Sequence, residues 1–235
     1  MLNWPALAAA RRVLAPRLPL RLRQPAQAGN LLEPGEQWRE CGSVALSDAP
    51  LLAAWPQVFE LRPQAVYCLL SPEQRTPVLA DINRALHASG RIRAWREEAY
   101  PLLSQASPGH AGGELLAVIE RAAARFWGAL SFGAHCNGYV AGADGRPSHL
   151  WVARRALDKP TDPGMLDNLI GCGVPYGQTP RQALIREAWE EAGLRPEQLG
   201  GLQAGRVLNI ACNIREGWQH EWLYAFDLAL PAGLQ

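Results

Sequence analysis

The stretch Gly171–Leu194, GCGVPYGQTPRQALIREAWEEAGL, constrains this chain more than any other. Gly171, Gly173 and Gly177 make its beginning turn-like and let the backbone approach a ligand closely. Thr179 then offers a helix N-cap, Pro180 fits the first helical position, and Gly193 ends the helix. At ~100° per residue, Glu187, Glu190 and Glu191 fall within an arc of about 100° on one helix face. Three carboxylates so close repel one another unless a cation neutralises them. Hard oxygen donors of this kind suit Mg²⁺ or Mn²⁺. Arg186 lies four residues before Glu190 and can orient a neighbouring carboxylate. Alone, R-E-x-x-E-E also reads as an ordinary solvated acidic face. The Gly-rich run feeding directly into the capped helix turns the balance toward a metal–phosphate platform.

The rest of the chain sets the frame. With 235 residues and 48% apolar content it can bury a sizeable core, as one large domain or two small ones. Apolar runs fall far short of the ~18 residues of a membrane span. A net charge of +1 gives no global case for nucleic acid. Cys41, Cys68, Cys136, Cys172 and Cys212 are odd in number, widely spaced and free of C-x-x-C pairs. They read as small buried thiols in a reducing, cytoplasmic protein, not as a disulfide framework or zinc site. Before the first acid, Glu33, stand Arg11, Arg12, Arg17, Arg21 and Arg23. Such a start is similar to an organelle transit peptide, but Pro5, Pro16 and Pro19 interrupt it. Residues 1–30 are therefore expected to be a loosely packed basic segment.

Two polar, Pro/Gly-containing breaks, 104–113 and 157–164, read as loops. Ala65–Leu70 reads as a strand. Thr76-Pro77 predicts the start of a helix carrying Val78, Leu79, Ile82 and Leu86 and closed by Gly90. Glu114 to Trp127 predicts a second helix, with Leu115, Leu116, Ile119, Ala123 and Phe126 on one face. Residues 134–141 and 148–154 read as a hairpin around Ala143-Asp144-Gly145, and Arg206–Cys212 and Trp222–Leu230 as further strands. The pattern is mixed α and β, with a boundary near residue 129.

The segment Gly171–Leu194 resembles the Nudix box, G-x5-E-x7-R-E-U-x-E-E-x-G-U with U apolar. Arg186-Glu187-Ala188-Trp189-Glu190-Glu191-Ala192-Gly193-Leu194 matches its second half, with small Ala188 at the first U. Cys172 stands where the motif has its first Gly, and Gln178 where it has its first Glu. Residues 134–140, 150–155, 163–168, Arg215-Glu216-Gly217, Glu221 and Asp227-Leu228 are similar to one Nudix branch. Gly90-Arg91, Trp95–Glu98 and Ile119–Arg121 resemble the N-terminal domain of that branch, a domain of unknown function described as thiamin-pyrophosphokinase-related. In that branch the first Glu of the box is often already lost. The resemblance implies an α/β (α+β) chain, with an α+β N-terminal domain over 1–128 and a Nudix α/β/α sandwich over 129–235. It implies metal held by Glu187, Glu190, Glu191 and the Gly171 carbonyl, and catalysis by Glu187, Glu190 and Arg186. The reaction implied is Mg²⁺-dependent (or Mn²⁺-dependent) cleavage of a small-molecule diphosphate, with thiamin diphosphate or its oxidised analogues as the substrate the branch suggests. A homodimer is compatible with this; a nucleic-acid or membrane partner is not expected. Cys172, Gln178 and an end at Gln235, 41 residues after Leu194, support a second expectation, a Nudix-fold binding module.

Outside the box, His135 and Asn137 lie on one strand face. They read equally as lining the pocket for the organic group or as a hydrogen-bonded core pair. Tyr176 and Trp218 can stack on a ring, though Trp218 reads better as packing. Glu221 is either a surface acid or a carboxylate completing the site. Helix 180–192 is expected to pack through Leu184, Ala188 and Trp189 and to open its Glu face to a cleft. The Trp95–Glu98 segment is expected to contribute specificity.

Overall fold

The computed structural model describes residues 15–24, 38–104, 113–158 and 163–233. Two compact units divide the chain: Met1–Leu130 with Ala211–His220, and Ser131–Ile210 with Glu221–Gln235.

The first unit is built on a four-stranded sheet of order β2-β1-β4-β3. Its strands are β1 (Arg17–Arg23), β2 (Trp38–Ala45), β3 (Phe59–Arg62) and β4 (Ala65–Cys68). β1 pairs antiparallel with β2 and parallel with β4. This corrects the expectation of a loose segment over 1–30. Leu20 and Leu22 alternate with Arg21 and Arg23, so the period is that of a strand, and both leucines are 1% exposed. The remainder of that segment, 1–14 and 25–30, lies outside the described residues, as do 105–112 of the first loop and 159–162 of the second.

Helix α1 (Pro72–Ala88) starts at Ser71-Pro72, not at Thr76-Pro77. Ser71 is the N-cap, and the Gln74 side chain accepts from its N–H at 3.2 Å. Pro77 is accommodated inside the helix, while the Thr76 hydroxyl accepts from Val118 N at 3.0 Å. The helix expected over 114–127 is instead strand β6 (Leu115–Glu120), paired with β5 (Ala99–Leu103), followed by a 3-10 turn Arg121–Ala123. A short Leu-Leu-Ala-Val-Ile run fits either period, and β5 supplies the partner that decides it.

The second unit carries β7 (Leu130–Ala141), β8 (Pro147–Trp151), β9 (Ala153–Arg154), β10 (Leu166–Asp167) and β11 (Ile170–Gly173). After helix α2 (Pro180–Ala192) come β12 (Gln203–Ile214) and β13 (Gly217–Ala229), both reaching into the residues grouped with the first unit. The sheet order is β11-β7-β13-β12. β11 pairs with residues 133–136 of β7, and β8 pairs with 138–141. β7 therefore changes partner along a single edge, at Asn137. The turn at Gly145, φ 76°, joins β7 to β8.

α2 covers one face of this sheet. Ala183, Leu184 and Ala188 are fully buried against Ala134, Cys136, Ile170, Phe226 and Leu228. Even-numbered residues of β7 and β13 thus face the helix, and odd-numbered ones face away. Trp189, expected in this interface, is 60% exposed: it lies one step around the helix from Ala188 and leaves the apolar stripe. Among the described residues, no helix is long and apolar enough to cross a membrane.

Candidate active site on an edge strand and a carboxylate helix

Local capping fixes α2 where the sequence expects it. Thr179 accepts from Gln182 N at 3.2 Å, and Gln182 returns a bond to Thr179 N at 2.9 Å. At the other end Gly193 takes φ 63°, which suits a residue without a Cβ. Glu187, Glu190 and Glu191 are thereby carried on the last turns of α2, beside β11, the strand it packs against.

The Glu191 carboxylate accepts from the Gly171 N–H at 2.9 Å. Gly171 belongs to an edge strand, and that N–H points away from the β7 ladder, so Glu191 satisfies a group the sheet leaves open. Arg186 Nη1 lies 2.7 Å from Glu187 Oε1. Burial pushes the Glu187 carboxyl above the usual carboxylate range. The Arg186 charge opposes that shift, whereas the charges of Glu190 and Glu191 reinforce it. Glu190 and Glu191 are exposed. Among the described residues, no three His, Cys, Asp or Glu side chains are gathered as a preformed metal-binding group. The donors nevertheless fit a hard divalent cation: they are carboxylate oxygens, and their mutual repulsion already perturbs Glu187. Gln178, where the motif has a Glu, keeps Oε1 buried without a hydrogen-bond partner.

His135 and Asn137 lie on the sheet face away from α2, within a hydrogen-bonded chain. His135 Nδ1 is 2.8 Å from Asn168 Oδ1. Asn168 Nδ2 donates to Asn137 Oδ1 at 2.6 Å, and Asn137 Nδ2 donates to Asp227 Oδ1 at 2.9 Å. All four side chains are partly or fully accessible, so this is not an enclosed core pair. The His135 ring lies 3.4 Å from where a Cβ on Gly171 would stand, which ties this chain to the strand that Glu191 contacts. Glu221, also on the far face, reaches over Gly133: a Cβ there would come within 2.7 Å of its Oε1. Its side chain thus occupies space that a glycine leaves open.

The remaining candidates have other surroundings. Tyr176 is 50% exposed in the turn before Gln178. Trp218 lies in the first unit under the Arg17 guanidinium, 5.8 Å from ring centre to carbon. Trp95 stacks on His87 at 4.9 Å, and Glu98 pairs with Arg121 at 2.7 Å, also in the first unit. Cys136 faces the core beneath α2, and its thiol is pushed up to about 12, chiefly by burial, which makes it unsuited to be a nucleophile. Asn168, Asp167 and Asp227 enter the sequence reading only within segments that resemble the Nudix branch, not as candidate site residues; the structure bonds them to the His135–Asn137 chain or beside it. An Asn two positions along the β7 face from His135 was the available signal, but its partners depend on strand pairing.

The site residues thus sit on an edge strand whose N–H is bonded by a carboxylate of a capped helix, in a strand-rich α+β chain. The comparisons with known proteins are specific. Residues 136–234 match the NUDIX domain family, and residues 37–131 match a domain of unknown function, DUF4743. The chain carries a Nudix domain preceded by a DUF4743 domain. Nudix hydrolase 20, chloroplastic, from Arabidopsis thaliana is 35% identical over 164 residues, 69% of this chain and 42% of that protein. Nudix hydrolase 24, chloroplastic, from the same plant is 34% identical over 160 residues, 68% of this chain and 42% of that protein. The chain therefore spans about two fifths of the length of these relatives. A crystal structure of a C. elegans Ap4A hydrolase aligns with 45% of this chain and 74% of its own at 19% identity, with a TM-score of 0.33.

Proposed function

We propose that this chain is a Mg²⁺-dependent Nudix diphosphohydrolase that cleaves a phosphoanhydride in a diphosphate attached to an organic group. The observation that carries this reading is the junction of Glu191 with the Gly171 N–H, which brings the carboxylate face of α2 onto the glycine-rich edge strand. Glu187, Glu190 and Glu191, with the Gly171 carbonyl, are the groups that would hold the ion. Bound there, a divalent cation supplies charge neutralisation for the phosphate oxygens. Arg186 orients Glu187 and opposes its protonation. Glu191 is steered by the Gly171 N–H, leaving Glu190 exposed on the same face to take the proton of an attacking water. Water attacks phosphorus, the bridging P–O bond breaks, and the second phosphoryl group leaves as a phosphate or monophosphate ester.

For the organic group we propose a thiamin-type ring, on the resemblance to the branch with the DUF4743 domain. The substrate is thus a small molecule and not a nucleic acid. A second reading, a Nudix-fold binding module, is favoured by Gln178 in place of the first box Glu and by the lack of a preformed carboxylate cluster among the described residues. Incubating purified protein and Mg²⁺ with thiamin diphosphate, ADP-ribose and a nucleoside triphosphate separates them. Turnover with thiamin diphosphate preferred supports the full proposal. Preference for either competitor overturns the thiamin assignment, and binding without turnover of any of them supports the module.

A further inference from the structure

The change of partner along β7 leaves a fork in the sheet. Gly138 pairs with Trp151 of β8, while Ile170 of β11 pairs with Cys136, so the two strands diverge around Asn137. A cleft of ≈ 290 Å³ opens there, lined by Asn137, Leu150, Trp151, Val152, Leu166 and Asn168 together with Gly138 and Asp167. A drug-sized pocket begins at roughly 300 Å³, so this space suits one or two rings.

Its walls have a definite chemistry. Leu150, Val152 and Leu166 are 65%, 56% and 67% exposed, an unusual degree for side chains around one concavity. Asn137 and Asn168 are locked to each other, to His135 and to Asp227, which fixes their amide planes; each amide group spends one N–H in those bonds and retains another. Asp167, the one carboxylate in the lining among the described residues, is engaged by Arg155 Nη1 at 2.6 Å and by Asn168 N at 2.8 Å. The Trp151 side chain shares the face of its pairing partner Gly138 and packs against the core beneath α2, where its indole N–H is buried without a hydrogen-bond partner, so that donor is not one the cleft presents. Apolar walls, fixed amides and, among the described residues of the lining, no cation describe a receptor for an uncharged face, not for a phosphate.

We propose that this fork binds the planar heteroaromatic end of the substrate, with Asn137 and Asn168 as its specificity residues. The inference deepens the hydrolase reading and rests on it for the location of the phosphates. The chain Asn137–Asn168–His135 leads from the cleft to Gly171, and Gly171 leads to Glu191, so ring and diphosphate sites share one edge of the sheet.

The test uses the full chain and probes without a hydrolysable bond to the ring. Thiamin and adenosine, both lacking phosphate, and inorganic pyrophosphate are titrated into ¹⁵N-labelled protein, with the Asn137 and Asn168 side-chain amide signals assigned from Asn137→Ala and Asn168→Ala. The expected result is a shift of those signals with thiamin or adenosine and none with pyrophosphate. Leu166→Glu and Val152→Glu, both at exposed positions that leave the fold intact, should weaken binding of the ring probe at least tenfold. Absence of binding by either ring compound, unmoved Asn137 and Asn168 amide signals, or binding unchanged in both variants would overturn the proposal. Hydrolysis is scored separately. Turnover without ring binding in the fork sinks this inference and leaves the hydrolase reading; ring binding without turnover does the reverse.

Discussion

Replacing Glu187 by Gln should change stability in opposite directions with and without metal. In chelator the wild-type helix carries Glu187 against Glu190 (i, i+3) and Glu191 (i, i+4). Each like-charge pair costs about 0.2–0.5 kcal/mol, so removing the charge at 187 relieves about 0.4–1.0 kcal/mol. Against this stands the loss of the Arg186 pair, worth only about 0.3–0.5 kcal/mol because the arginine is 42% exposed. The balance favours the variant by roughly 0.3 kcal/mol, or about 1 °C in Tm for a chain of this size. With Mg²⁺ tenfold above its Kd the wild type gains about 1.4 kcal/mol by mass action, whereas a variant binding tenfold more weakly gains about 0.4 kcal/mol. The order of melting temperatures should therefore invert between chelator and Mg²⁺. Thermal unfolding of both proteins under both conditions reads this directly. A variant less stable than wild type in chelator would refute the repulsion argument, and a wild type unmoved by Mg²⁺ would refute the metal site.

Because burial and its neighbours raise the Glu187 carboxyl, the folded protein holds that proton more readily than the unfolded chain. In chelator, stability should fall as pH rises from the ordinary carboxylate range through the raised Glu187 value; Glu187→Gln should flatten this slope in denaturant titrations, and an unchanged slope would contradict the assignment. Leu184→Ala should cost about 2–5 kcal/mol in urea unfolding, because Leu184 is fully buried under the sheet. Trp189→Ala should stay within about 0.5 kcal/mol; a larger loss would mean that Trp189 is packed after all. Gln178→Glu should destabilise the chelated protein by about 1–3 kcal/mol, since it buries a charge where an oxygen is already unpaired, and Mg²⁺ should recover part of that loss.

The local devices were legible in the sequence because they are local. Thr179-Pro180 and Gly193 bracket α2 where expected, and Gly145 turns β7 into β8. Where two periods fit the same residues, the sequence misled. Leu115–Glu120 is a strand because β5 lies beside it, and Arg17–Arg23 enters the central sheet through two leucines hidden among arginines. Pro77 looked like a helix start and is an interior residue of α1. At the site, the carboxylate face of α2 followed from helical spacing alone. The Glu191–Gly171 bond and the His135–Asn168–Asn137–Asp227 chain did not, because both depend on which strands become neighbours.

The central claim is that this chain directs water onto phosphorus with the carboxylates of α2. Turnover of a diphosphate in ¹⁸O-labelled water, followed by mass analysis of both products, tests it most directly. With Mg²⁺ the label should appear on a phosphate or monophosphate product, and Glu190→Gln should suppress its incorporation. Label in the organic alcohol, or turnover unchanged by excess chelator or by Glu190→Gln, would contradict the account.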